Sequence, residues 1–216
     1  MKKTILFALC ICSSLSLYSQ RYWDSSRPNH RFTFGVRVGA NFAKQYYMED
    51  VGADNDFRTG FQAGIATDIN IVRSFSLNSG VFYTQKGYKT EYSDYRGSVS
   101  SRNNAQYIEV PLLASYRVEL SDAAQLQLNL GPYFAFGIAG KLDVTNTFPN
   151  GTSYSIDSFD EYDGMKKFDS GVSVGFAMTY SQIYAGISYE RSLMNVSNTT
   201  EKYQNGSISM VIGYNY

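Results

Sequence analysis

Between Leu126 and Ile138 the even-numbered residues are Leu, Leu, Leu, Pro, Phe, Phe and Ile, while the odd ones from Gln125 to Ala139 are Gln, Gln, Asn, Gly, Tyr, Ala, Gly and Ala. A β-strand sends successive side chains to opposite faces, so this stretch has one apolar face and one small or polar face. A strand of about 10 residues tilted by about 40° crosses a bacterial outer membrane, and this one is long enough to do so.

The pattern recurs seven more times. Alternating segments occupy approximately residues 32–42, 58–70, 74–88, 105–119, 123–140, 168–180, 182–191 and 204–216. Their apolar faces include Phe32, Phe34, Val36 and Val38 in the first, Phe61, Ile65 and Ile69 in the second, and Ile208, Met210, Ile212, Tyr214 and Tyr216 in the last. Long polar connections follow the first, third, fifth and seventh segments, and tight joins near Val72, Ser121 and Ser181 follow the second, fourth and sixth. Long connections on one side and short ones on the other predict an all-β, eight-stranded antiparallel up-and-down transmembrane β-barrel over residues 32–216, with short turns and both termini in the periplasm.

Period two does not by itself say which face points out, so a soluble lipid-binding barrel competes with this reading. Its polar face would meet water and carry many Lys and Glu. Here that face holds Gly35, Gly39, Gly64, Gly80, Gly131, Gly137, Gly171, Gly175, Gly186 and Gly213, interspersed with Ser, Asn and Gln. Small residues suit the crowded interior of an eight-stranded barrel.

Residues 1–19 have two lysines, an apolar run from Ile5 to Leu17 and Ser19 at the cleavage position, the layout of a secretory signal peptide cut before Gln20. Residues 20–31 then form a periplasmic leader. Both cysteines, Cys10 and Cys12, fall inside the signal, so the exported chain has neither a disulfide framework nor a thiolate metal site. Leu9 and Ile11 precede them, which does not fit a lipidated cysteine. Without Lys2 and Lys3 the chain has 17 basic and 19 acidic residues, and nothing points to nucleic acid.

The only histidine is His30, in the leader, and the chain has no Gly-x-Ser-x-Gly elbow, phosphate loop or paired-histidine motif. An enzyme is not indicated, and no cofactor is expected. A lipid-modifying activity would have to survive loss of His30. The informative residues are those that alternation turns inward: Arg37, Asp68, Lys86, Glu109, Arg117, Glu119, Tyr133 and Glu190. A lone charge in a low-dielectric lumen is unfavourable, so these are expected to form a paired polar network. An ion or proton path is the sharper alternative. Folding the third segment onto the fourth brings Lys86 to Glu109, with Tyr133 on the other side. Pro111 cannot donate to a ladder and predicts a bulge.

Acidic clusters lie in two of the long connections, Glu49, Asp50, Asp54 and Asp56 in one and Asp157, Asp160, Glu161 and Asp163 in the other. Neither has the spacing of a calcium loop, which leaves a solvated surface as the simpler reading. The aromatics Tyr46, Tyr47, Tyr154, Phe159 and Tyr162 are placed to bind a partner, to cap the barrel mouth or to join an interfacial girdle.

The stretch QYIEVPLLASYRVEL followed by QLQLNLGPYFAFGIAGK resembles the PorT-like outer-membrane barrels abundant in Bacteroidetes. The likeness rests on Tyr107, Glu109, Pro111, Leu112, Leu113 and Tyr116, then Gly131, Pro132, Tyr133, Gly140 and Lys141, with Asp169 and Gly171 further on. Ala114 and Ser115 depart from it, standing where that family often has Leu and Lys. The resemblance implies the barrel fold and an outer-membrane location. Its founding member's association with gliding and secretion implies a place in a secretion machinery as one alternative. The main expectation is a non-enzymatic structural or interaction component of the envelope, a surface ligand-binding protein or adhesin being a further alternative. Outer-membrane lipid and lipopolysaccharide, the barrel assembly machinery and other envelope proteins are the expected partners.

The last segment ends on Tyr214 and Tyr216, and such a terminal aromatic strand resembles the signal read by the assembly machinery. It also has to close the ring, because an open edge in hydrocarbon leaves backbone groups unpaired. Removing Tyr214 to Tyr216 is therefore expected to reduce the folded, heat-modifiable band on a gel far more than removing Arg21 to Asn29. Equal bands from the two truncations would contradict this.

Overall fold

A computed structural model describes residues 24–48, 56–121, 123–161, 164–200 and 202–216. The signal peptide assigned to residues 1–19 and the start of the leader lie outside the described residues. The strands are β1 (Phe32–Tyr47), β2 (Arg58–Val72), β3 (Phe75–Lys86), β4 (Lys89–Asp94), β5 (Gly97–Glu119), β6 (Ala124–Asn146), β7 (Tyr154–Asp157), β8 (Phe168–Tyr180), β9 (Ile183–Ser192) and β10 (Tyr203–Asn215). All except β4 and β7 form one antiparallel ring, each paired with the next and β10 returning to β1 from Gly35–Asn215 up to Tyr47–Tyr203. The fold is an eight-stranded up-and-down barrel.

The registers fix its shape. Paired residues lead from Phe32 through Ile69, Leu77, Ala114, Leu130, Val174, Tyr189 and Ile208 back to β1 at Phe42, ten residues above the start. With a rise of about 3.3 Å per residue and strands about 4.8 Å apart, that stagger tilts eight strands by about 40° and leaves a lumen that side chains fill.

The apolar face points outward. Ile65 and Ile212 are 62% and 63% exposed, whereas Lys86 and Glu109 on the opposite face are each 1% exposed. A soluble barrel with an apolar interior is thereby excluded.

Two features break the plain ladder. Pro111 is paired with Tyr133 in unbroken register from Tyr107 to Glu119, so the bulge expected there is absent. The missing N–H is accommodated by a local gap in the β3–β5 ladder, where the Ser79 hydroxyl donates to the Pro111 carbonyl at 2.8 Å. The bulge instead lies higher in β6: Gln106 pairs with Ala139 but Tyr107 pairs with Gly137, leaving Ile138 as the extra residue. Above it the inward parity of β6 passes from odd to even positions.

At the short-turn end the leader is tied to the β2–β3 turn. The Asp24 amide donates to the Ser74 hydroxyl at 2.7 Å, and the Arg73 amide donates to the Ser26 carbonyl at 3.2 Å. Ser181, with φ 54°, makes the tight β8–β9 turn.

The β1–β10 seam has no room for side chains at Gly39, where a Cβ would lie 1.9 Å from the Met210 carbonyl oxygen. At Gly175 the nearest atoms are 3.2 Å away. Gly39→Val is expected to destabilise the barrel by about 1–3 kcal/mol and to lower the temperature at which the heat-modifiable band unfolds. Gly175→Ala should change it less, and equal shifts would contradict this account of the seam.

Candidate functional site

Alternation carries polar side chains inward from every wall, and the lumen arranges them in two charged centres. Nearer the long-loop end, Lys86 on β3 places Nζ 2.6 Å from Glu109 Oε2 on neighbouring β5 and 3.0 Å from Glu190 Oε2 on β9. In the ring β9 stands opposite β3, so a single ammonium ties two facing walls together. The ammonium also lies 4.2 Å from the centre of the Tyr133 ring, whose negative face adds a cation–π contact. Glu190 accepts a further bond from the Ser207 hydroxyl at 3.2 Å.

Beside this group Asp169 is fully buried and accepts from Ser192 Oγ at 2.6 Å, Asn205 Nδ2 at 2.9 Å and Tyr133 Oη at 3.4 Å. It joins β6, β8, β9 and β10 through neutral donors. Period two turns Asp169 inward, in phase with Gly171 and Ser173, so the signal for its place in the network was available in the sequence.

Nearer the short turns, Arg117 Nη2 lies 3.0 Å from Asp68 Oδ1, and Asn78 donates to the same oxygen at 2.7 Å. Arg37 stacks on Tyr184 at 3.8 Å and donates to Asn215 Oδ1 at 2.6 Å. Tyr184 is a further residue that counting charges passes over. Between the two centres lies a cavity of about 70 Å³, lined by Arg37, Asn129, Glu109, Tyr184 and Glu190 among others. It is large enough for about two water molecules.

Glu119 does not belong to this network. It is the last residue of β5, exposed at the short-turn rim, with Oε2 3.9 Å from Arg73 Nη1. Its parity is inward, but the lumen ends above it, and the side chain stands outside at the rim. His30 is exposed in the leader, with its carbonyl accepting from Asn70 Nδ2 at 2.8 Å. Glu49, Asp50, Asp54, Tyr162 and Asp163 lie outside the described residues.

The long-loop mouth is filled from above. Phe159 packs edge-on to Tyr107 at 5.4 Å and occupies the space over Gly137, where a Cβ would lie 2.2 Å from its ring. Phe159, Met165 and Val196 form one buried cluster with Ala105, Tyr107, Tyr133 and Ala135 of the barrel. The Gly137 and Lys166 amides fasten the two covering segments by donating to the Lys167 carbonyl at 2.7 Å and the Val196 carbonyl at 2.8 Å.

Above the mouth β5 and β6 continue upward, flanked by β4 and β7, as a four-stranded antiparallel sheet in the order β4-β5-β6-β7. Register pairs Tyr92 with Val99, Val144 with Tyr154 and Leu142 with Ile156 on one face, and places Glu91, Arg102 and Asp143 on the other. The apolar side is the one continuous with the lumen-facing residues, the reverse of the polarity in the barrel wall.

An outward belt of exposed hydrophobics around a polar lumen is a solution for hydrocarbon surroundings, and the sequence matches a family accordingly. The family described as outer membrane protein beta-barrel domain covers residues 18–198. The chain belongs to that family. No curated protein matches the chain. Among solved structures it is similar to Ail, the attachment invasion locus protein of Yersinia pestis, at 14% identity and a TM-score of 0.45, over 87% of this chain and 100% of that one. It is also similar to Neisserial surface protein A at 14% identity and a TM-score of 0.43, over 84% and 96% of the two chains. A third is OprG of Pseudomonas aeruginosa, at 10% identity and a TM-score of 0.44, over 90% and 99%.

Within this outer-membrane barrel the lumen makes unequal demands on its charges. Glu109→Gln leaves Lys86 its partner Glu190, whereas Lys86→Met leaves both carboxyl groups without their cation. Removing the shared partner of buried charges destabilises by about 3–5 kcal/mol. Lys86→Met should therefore lower the unfolding temperature more than Glu109→Gln, and neutralising Lys86, Glu109 and Glu190 together should recover part of the loss. Equal effects of the two single changes would contradict the shared-ammonium geometry.

Proposed function

We propose that this barrel is a non-enzymatic interaction component of the cell envelope, which anchors in the outer membrane and presents its long-loop end to a partner outside. The observation that carries this reading is the raised sheet. Its apolar face keeps Tyr92 and Tyr154 more than half exposed, at 62% and 53%, although a sheet standing in water gains nothing from apolar residues left uncovered. Tyrosines of this kind are the residues that partner surfaces bury to greatest effect. A surface binder acting through its loops fits this arrangement.

A PorT-like role in a secretion machinery is the second reading, supported by the motif residues Tyr107, Glu109, Pro111, Gly131 and Tyr133. Three of these, Tyr107, Glu109 and Tyr133, surround the Lys86 centre or the mouth cluster, so the motif also has a sufficient explanation in how the lumen is filled. In this proposal both termini and the short turns face the periplasm, outer-membrane lipid and lipopolysaccharide surround the wall, and β10 is the strand read by the barrel assembly machinery.

Protease applied to intact cells should cut between Lys141 and Lys167 and spare the leader; cutting that needs permeabilised cells would reverse the orientation. Replacing Tyr92, Leu142 and Tyr154 by Ser should abolish recovery of cross-linked envelope or surface partners while leaving the heat-modifiable band intact. A deletion strain that loses secreted proteins, and regains them with this triple variant, would favour the secretion reading instead.

A further inference from the structure

On the outer wall, where β1, β10 and β9 approach the long-loop end, two cations stand without an acid among the described residues. Lys44 and Arg191 both occupy outward positions in register with Gly206 of β10. Lys44 Nζ lies 4.7 Å from the centre of the Tyr46 ring and 5.2 Å from that of Phe57, and the Arg191 guanidinium lies 3.8 Å from the same Tyr46 ring. The ring rests on Gly206, where a Cβ would come within 2.5 Å of it. Arg191 Nη2 donates to Gln204 Oε1 at 2.9 Å.

Among the described residues neither cation has a carboxylate within the 4.0 Å of an ion pair. The neighbouring outward positions are Thr59, Phe61, Phe42, Gln204, Ile208, Tyr189, Val172 and Ser170, none of them acidic. Two like charges held against one aromatic ring repel, and an anion that binds both across the outer edge of the ring relieves that repulsion. Depth narrows the choice of anion. Directly below, Phe42, Ile208, Tyr189 and Val174 continue the apolar belt in register. The cations therefore sit where hydrocarbon gives way to head groups, a level reached by a membrane lipid lying against the wall.

We infer that Lys44, Tyr46 and Arg191 form a binding site for the phosphate of a phosphorylated glycolipid head group of the lipid A class. Arg191 supplies a planar fork of donors suited to phosphate oxygens, Lys44 supplies a point charge, and the Tyr46 ring holds both in place. The lipid's acyl chains lie along the belt below. The site in the cell rests on the orientation proposed above, with the long-loop end in the outer leaflet.

The test uses the full barrel in phosphatidylcholine nanodiscs carrying bisphosphorylated lipid A or its phosphate-free counterpart with the same acyl chains, and retained lipid is read by native mass spectrometry. Both nanodisc faces are accessible, so a failed orientation does not affect this measurement. The phosphorylated form should be retained about tenfold or more over the phosphate-free form, and the K44Q/R191Q variant should lose that preference. Millimolar inorganic phosphate should not displace the lipid. Equal retention of the two lipids, an unchanged preference in K44Q/R191Q, or displacement by inorganic phosphate would overturn the proposal. If K44Q/R191Q fails to give a heat-modifiable band, the charge-conserving K44R/R191K variant takes its place and must keep the preference.

Discussion

Hydrocarbon offers no hydrogen bonds, and every strand that crosses it must find both neighbours. In this chain that requirement is met by β10 returning to β1 along a continuous register, and the ten-residue stagger around the ring follows from the same pairings. The stagger fixes the width of the lumen, and the width decides what can line it. Glycine at Gly39, Gly64, Gly131 and Gly213, where a Cβ would press on backbone within 2.5 Å, belongs to that narrowness. So does the ability of one lysine to hold a carboxylate of the neighbouring strand and one of the facing wall together.

The lumen is a low-dielectric space that has been given charges, and each is met by charge or by dipoles. Lys86 is shared by two glutamates, Asp169 is held by neutral donors, Asp68 is met by Arg117, and Arg37 is laid on Tyr184. These contacts run across the ring and supplement ladders that act only between neighbours. With the Phe159 cluster seated in the mouth, wall, lumen and covering segments form a continuous packing. The raised sheet is the part that shares least in it, since Tyr92 and Tyr154 on its apolar face remain exposed.

What the sequence revealed and what it concealed divide along the membrane boundary. Within the belt only apolar residues are tolerated outward, so alternation in Phe32 to Val38 or Leu126 to Ile138 is unambiguous. Above the belt water satisfies polar groups on either face, and the start of β5 at Gly97, together with β4 and β7, carries no comparable signal. Parity gives direction but not depth, which is why Glu119 counts as inward and yet stands at the rim. Proline removes a donor without dictating a shift, so Pro111 sits in register, while the real bulge at Ile138 follows an uninterrupted alternation and leaves no mark until the pairing is known. Asp169 and Tyr184 were legible by the same parity that gave Glu109 and Arg37, but their partners are Ser192, Asn205 and Arg37, and such pairings depend on which walls face each other.

The order in which the lumen receives its charges has a consequence for how the chain becomes a barrel. Lys86 and Glu109 belong to adjacent strands and can neutralise each other as soon as β3 and β5 form a hairpin. Asp169 and Glu190 arrive on β8 and β9, and their donors Asn205 and Ser207 come only with β10. A sheet that has inserted without its last strand therefore holds carboxylates with incomplete partners on a face that has not yet closed. The final strand removes that electrostatic frustration in the same step that removes the open edge, which makes ring closure cooperative in its side chains as well as in its backbone.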